Sequence, residues 1–195
     1  MVYTKKIDQE TLIGIARELL EREGMEAISM RRLAQELAVQ ASSLYHHFAD
    51  KSALMRAVAE QGLRELAQVL QRARDEAGSD PRQQILALGL AYRTWALHHP
   101  RLYRVLFAGS PLDEQPSAVE RAVPEPMLAA AAQLVGEEHA VAATQAAWAL
   151  VHGFVMLELA GQMRRGIPAE GFLLGMQAFV QGLSNTFTAT AAKKV

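Results

Sequence analysis

Residues 42–51, SSLYHHFADK, crowd two hydroxyls, a phenol, two imidazoles and an ammonium group into one short stretch of a 195-residue chain. Ser42 and Ser43 are small enough to let a helix end approach a phosphate or a base edge, and each hydroxyl donates or accepts. Tyr45 offers a phenolic donor on a rigid ring, and His46 and His47 add imidazole donors. Lys51 puts a cation where the next helix begins, beside a dipole that already favours an anion. Such a set suits contact with a phosphate backbone. His47 is divided between that role and packing, because its spacing from Ser43 and Leu44 fits both. Arg31 and Arg32, upstream, are either phosphate contacts or solvated side chains on a helix face.

Helices must position these groups. Leu12, Ile15, Ala16, Leu19 and Leu20 repeat at helical spacing, and Gly24 follows where a closing glycine belongs. Ser29 is placed to cap a second helix with Met30, Leu33, Ala34 and Leu37 on one face, while Ile28 and Leu33 can close a hydrophobic staple. After Ala38, Val39 and Gln40, the pattern predicts a third helix from Ala41 to Phe48, anchored by Leu44 and Phe48. That leaves Ser42, Ser43, Tyr45, His46 and Lys51 outside the core. Asp50 can cap a fourth helix running to about Ala77. Three short helices with a tight link match a helix-turn-helix, whose later helix enters the major groove.

Gly78, Ser79, Asp80 and Pro81 punctuate the chain, with Asp80 as cap and Pro81 at the first position of a fifth helix that reaches His99 and stops at Pro100. A short helix from Arg101 to Phe107 should follow, then an irregular connection from Gly109 to Pro126. Further helices are expected at about Met127 to Leu134, His139 to Arg164 and Pro168 to Phe187, the last two forming an antiparallel hairpin, with the tail ATAAKKV frayed. The run AAWALVHGFVMLELAG holds one acid, Glu158, and is apolar around most of its helix, so it must be covered on more than one side. A seam of Thr144, Trp148, Val151, Val155, Leu159 and Gln162 with Phe172, Met176, Phe179, Leu183 and Thr186 would pack two hairpins as a four-helix bundle across a two-fold axis. The expected organisation is all-α: a helix-turn-helix domain over residues 1–50, then a helical dimerisation domain over 51–195, to which the family likeness described below adds ligand binding, and of which 51–77 is the connecting helix.

Composition narrows the alternatives. Half the residues are hydrophobic and there is no Cys, which favours helices without disulfides or thiolate metal sites. The net charge is -1, and residues 1–51 hold seven Lys and Arg against eight Asp and Glu, so a case for DNA rests on local placement of charge. No apolar signal region opens the chain, and no stretch is read as reaching the ~18 uncharged apolar residues of a membrane span, so a soluble, cytoplasmic protein is expected. A Gly-rich phosphate loop, HExxH and GxSxG are absent, giving no catalytic residue and no cofactor to expect. His98 and His99 stand before Pro100, where a cation suits exposed helix carbonyls better than a metal site.

The stretch GMEAISMRRLAQELAVQASSLYHHFADKSALM resembles the N-terminal helix-turn-helix of the TetR family of transcriptional regulators, over about Lys6 to Val58. The likeness lies in Ser29, the pair Leu33 and Ala34, Val39, Leu44 with Tyr45, His47 with Phe48, and Lys51 with Leu54. It implies that Gln40 to His46 lie in the major groove, with Ala41, Ser42 and Tyr45 nearest the bases, and that Ser29, Ser43, His47 and Lys51 bind phosphates. The chain departs from the family at Ala38, often glycine there, and at Gln40, often a small hydroxyl, which frees an amide to read a base. Trp148, His152 and Gly153 resemble the WHG pattern of one branch of the family. That likeness implies a pocket drawing on Tyr92, Trp95, Tyr103, Phe107, Trp148, His152 and Met156, residue types that also serve as plain core. The function implied is a homodimeric repressor that binds a near-palindromic double-stranded operator and is released by a small apolar or aromatic effector. The competing reading is a helical small-molecule-binding protein or enzyme without DNA binding.

Overall fold

The computed structural model describes residues 8–107 and 117–192, with side chains up to Phe187, and the chain divides into two compact units. Among the described residues every regular element is a helix. The first unit holds residues 8–63 and 99–107; the second holds residues 64–98 and 117–192.

The first unit contains α1 (Gln9–Glu23), α2 (Met30–Glu36), α3 (Ala41–Leu44), the start of α4 (Lys51–Glu76) and α6 (Pro100–Phe107). Polar side chains open three of these helices. Asp8 Oδ1 accepts the Thr11 N–H at 2.7 Å, Ser29 Oγ the Arg32 N–H at 3.1 Å, and Asp50 Oδ1 the Ala53 N–H at 2.7 Å. Leu12, Leu19, Ile28, Leu33, Leu44, Leu54 and Val58 are buried and supply the core. Ile28 and Leu33, either side of the Ser29 cap, are buried as a staple requires. Although α6 is flanked in sequence by elements of the other unit, α1 holds it here. The Glu21 carboxylate accepts the N–H groups of Arg101 and Leu102 at 3.3 and 2.9 Å, filling donors that a first helical turn leaves unpaired.

The link between α2 and α3 is a Schellman closure. The Val39 N–H reaches the Ala34 carbonyl at 2.9 Å and the Ala38 N–H the Gln35 carbonyl at 3.1 Å, with Ala38 left-handed at φ 54°. A side chain at that φ is disfavoured, by roughly 1–2 kcal/mol. Ala38 is the only non-glycine residue with positive φ among the described residues.

The second unit contains the rest of α4, then α5 (Pro81–His98), α7 (Ala118–Ala122), α8 (Glu125–Val135), α9 (Glu137–Leu159) and α10 (Pro168–Ala192). α8 and α9 pack on each other and on α5, and α10 touches all three. Gly89 lets α10 approach α5 closely, since a Cβ there would fall 2.5 Å from the Met176 methyl carbon. Arg93 of α5 and Glu158 of α9 meet in a bidentate pair, Nε to Oε2 at 2.9 Å and Nη2 to Oε1 at 2.6 Å, with side chains 14% and 17% exposed. The same guanidinium lies 5.4 Å from the centre of the Phe172 ring.

Several expected bounds move. α3 ends at Leu44 rather than Phe48, and residues 45–47 continue as a turn in which the N–H groups of His47 and Phe48 share the Leu44 carbonyl. α9 stops at Leu159 rather than Arg164, because Gly161 at φ 66° closes a second Schellman motif, with Gln162 N–H on the Leu157 carbonyl at 2.9 Å. The connection expected to be irregular up to Pro126 contains α7, opened by a reciprocal capping box between Ser117 and Glu120. α10 runs on to Ala192, into the tail expected to fray; residues 108–116 and 193–195 lie outside those described. The expectation of no span-length apolar stretch is also corrected: α9 is long and apolar enough to cross a membrane, by length and composition alone. Its packing on α5, α8 and α10 accounts for that character on one side.

Candidate functional site

α3 is held by Leu44, which has no exposed surface, with Phe48 half-buried beyond the turn. Gln40, Ser42, Tyr45 and His46 face outward, Tyr45 with 53% of its surface exposed, while Ala41, Ser43 and His47 are half-buried. The division follows residue type, apolar inward and donors outward. His47 is fixed by its backbone: its N–H donates to the Leu44 carbonyl at 3.0 Å and its carbonyl accepts the Gln9 amide at 3.2 Å. Its ring adds a small share to the lowering of the Asp8 carboxyl, which owes most to the Thr11 N–H.

The expected phosphate contacts have different surroundings. Ser29 is exposed, and its oxygen already caps α2, which leaves the hydroxyl proton to donate. Lys51 stands at the start of α4, half-buried, with Nζ donating to the Met25 carbonyl at 3.0 Å. Arg31 is exposed, whereas Arg32 pairs with Glu36 at 2.8 Å and Glu23 at 3.2 Å, in a cluster that Arg22 completes. Holding two carboxylates turns Arg32 toward α1. The pairing raises Arg22 and lowers Glu23 from their ordinary values, chiefly through their mutual hydrogen bond.

The seven residues expected around an effector fall into groups. Tyr92, Trp148 and His152 come together in the second unit, with the Trp148 Nε1–H donating to the Tyr92 hydroxyl at 3.4 Å and the Trp148 and His152 rings 5.5 Å apart. Trp95 is buried in the same unit and donates Nε1–H to Glu65 at 3.0 Å. Tyr103 and Phe107 belong to the first unit, their rings 4.8 Å apart. Met156 lies on the exposed side of α9. Burial pushes the His152 imidazole below its ordinary value. A separate open crevice at the α9–α10 turn is lined by Phe154, Met163, Arg165 and Ile167 among others, and by none of the seven. His98 Nδ1 donates to the Thr94 carbonyl at 2.7 Å, within the last turn of α5. Among the described residues no three His, Asp or Glu side chains gather as metal ligands would.

The expected seam is corrected in part: its members Trp148, Gln162 and Thr186 are exposed, but its bulky centre is not. Val151, Val155, Phe172 and Met176 are at most 3% exposed, spent in the chain's own core. The apolar surface that α9 and α10 leave uncovered carries Val141, Trp148, Met156 and Leu157 with Leu173 and Leu174, the last 68% exposed. Sequence reading also missed Glu21, Glu65 and the Arg93–Glu158 pair. A signal for that pair existed, since each is the lone charge in a long apolar run and a buried charge requires a partner.

Among the described residues the elements are all helices, and a short turn leading from α2 into a pinned α3 with an outward polar face has the form of a helix-turn-helix. Comparison with known proteins refines that class. Residues 12–58 match the model of bacterial regulatory proteins of the tetR family, and residues 85–176 match a tetracyclin repressor-like C-terminal domain. An uncharacterized HTH-type transcriptional regulator of Mycobacterium tuberculosis is 33% identical over 168 residues, covering 81% of this chain and 73% of that protein. A TetR variant from Acinetobacter baumannii, solved with minocycline, superposes with a TM-score of 0.71 at 29% identity, over 93% of this chain and 99% of that one. BioQ solved with its double-stranded DNA operator gives a TM-score of 0.66 at 30% identity, over 92% and 99% of the two chains. The chain belongs to the TetR family of transcriptional regulators, which bind DNA and are not enzymes. The reading as an enzyme or carrier without DNA binding is thereby set aside.

Proposed function

We propose that this protein is a homodimeric, cytoplasmic repressor that binds a near-palindromic operator through α3 and releases it when a small apolar or aromatic effector enters the second unit. The observation that carries the reading is the exposed set Gln40, Ser42, Tyr45 and His46 on α3 and the residues that flank it, with Leu44 as the core side chain. One α3 reads only a few base pairs, whereas two on a two-fold dimer read half-sites about 34 Å apart or a multiple of that. The apolar surface on α9 and α10, with Val141 and Leu174 at its most exposed points, is the face proposed to meet the second copy. Tyr92, Trp148 and His152, already joined by ring and hydrogen-bond contacts, are proposed as the start of the effector site, in keeping with the WHG likeness.

Footprinting on the DNA upstream of its own gene, with sedimentation velocity on the free protein, tests the assembly. Two protected half-sites related by symmetry and a dimer at micromolar concentration are expected. A monomer, or protection without two-fold symmetry, would contradict it.

A further inference from the structure

Resting on the DNA-binding reading above, we propose that Gln40 reads an adenine in each operator half-site, so that α3 selects A·T over G·C at that base pair. Gln40 is the last residue of the α2–α3 turn, with extended backbone at φ -78° and ψ 140°, and it directly precedes α3. Residues in the same place before α2 and α4, Ser29 and Asp50, commit a side-chain oxygen to the helix that follows. Gln40 does not: its amide makes no capping bond, and the residue is exposed. Its carbonyl and NH2 are therefore available side by side.

That pairing selects the base. An amide presents one acceptor and one donor, matching the N6 amino group and N7 of adenine in the major groove, whereas guanine presents two acceptors there and calls for Arg or Lys. No Lys or Arg stands between Gln40 and Ala49. Ser42, Tyr45 and His46, the other exposed polar groups, cannot bracket a single base edge with a donor and an acceptor as an amide can. The nearest cations upstream and downstream, Arg32 and Lys51, already hold carboxylates and a carbonyl. Gln40 is thus the lone bidentate reader on this face, and the methyl of Ala41 beside it suits a thymine C5-methyl.

Selection of bound duplexes from a randomised library, with the full-length protein, tests this. The enriched half-site is expected to hold an A·T pair whose symmetric replacement by G·C weakens binding about tenfold or more. Gln40→Ala should flatten the preference at that pair alone, and Gln40→Arg should turn it toward guanine. Gln40→Ser gains a capping hydroxyl, so it retains α3 and should flatten the same pair without loss of thermal stability. Base preferences unchanged in Gln40→Ala and Gln40→Ser, or a wild-type preference for G·C at the pair they alter, would overturn the proposal while DNA binding stands. Failure of wild type to enrich any motif would overturn the DNA-binding reading itself, and this one with it.

Discussion

α3 is four residues long and buries one side chain, Leu44, whereas α9 is twenty-three residues long and buries five, with apolar residues on its exposed side as well. In α3 residue type and task coincide: the apolar side chain folds the unit and the polar ones face solvent. In α9 an apolar residue can serve the chain's own core, the proposed second copy or the proposed effector, and chemistry alone does not separate these. The consequence is that single substitutions on α3 divide folding from DNA reading, while on α9 the side of the helix must be known first.

The largest expected effects test whether each unit rests on the contact named for it. Arg93→Ala leaves the Glu158 carboxylate without its bidentate partner at a mostly buried position and should destabilise the protein by about 3–5 kcal/mol. Leu44→Ala removes the peg of α3 and should destabilise by about 2–5 kcal/mol. Chemical denaturation measures both; an unchanged midpoint for Leu44→Ala would remove the distinction drawn for α3. Next in size is Leu174→Glu, which places a charge on the uncovered face of α10. It should weaken the proposed dimer by about 2 kcal/mol while leaving the fold intact, read by sedimentation and circular dichroism. Val155→Ala, facing inward from α9, should lower thermal stability instead, and equal effects on assembly would erase the distinction between the inward and uncovered faces of α9 and α10.

Smaller effects sharpen the comparison. The same Schellman closure ends α2 at Ala38 and α9 at Gly161, so Ala38→Gly relieves a left-handed alanine and should raise stability by about 1 kcal/mol. The smallest is a pH effect. Because burial lowers the His152 pKa, the unfolded chain binds the proton first, and stability that is complete above about pH 6.5 declines as the pH falls toward the folded value. His152→Gln should remove that slope from the thermal midpoint between pH 7 and pH 5.

The first unit was legible because its signals are local. Ser29, Asp50 and Gly24 fix helix ends through bonds to residues three or four positions away, and all three act as their types require. Two equally local signals were passed over, Gly161 at the end of α9 and the Ser117 to Glu120 capping box. The uncovered face was not legible for a different reason. Bulky Val151, Val155, Phe172 and Met176 marked a stripe that the unit buries, while the exposed side of α9 scatters Val141, Trp148, Met156 and Leu157 among Ala142, Gln145, Ala146 and Ala149. Long-range pairs such as Glu21 with α6 and Arg93 with Glu158 depend on which helices meet, which spacing along one helix does not encode.

The most direct measurement is a fluorescence anisotropy titration of an operator duplex with wild type and Tyr45→Ala, alongside their thermal unfolding. Tyr45 is 53% exposed, so its removal should leave the midpoint unchanged while weakening operator binding about tenfold or more. Equal affinity of the two proteins for that duplex would contradict the assignment of α3 as the DNA-reading element.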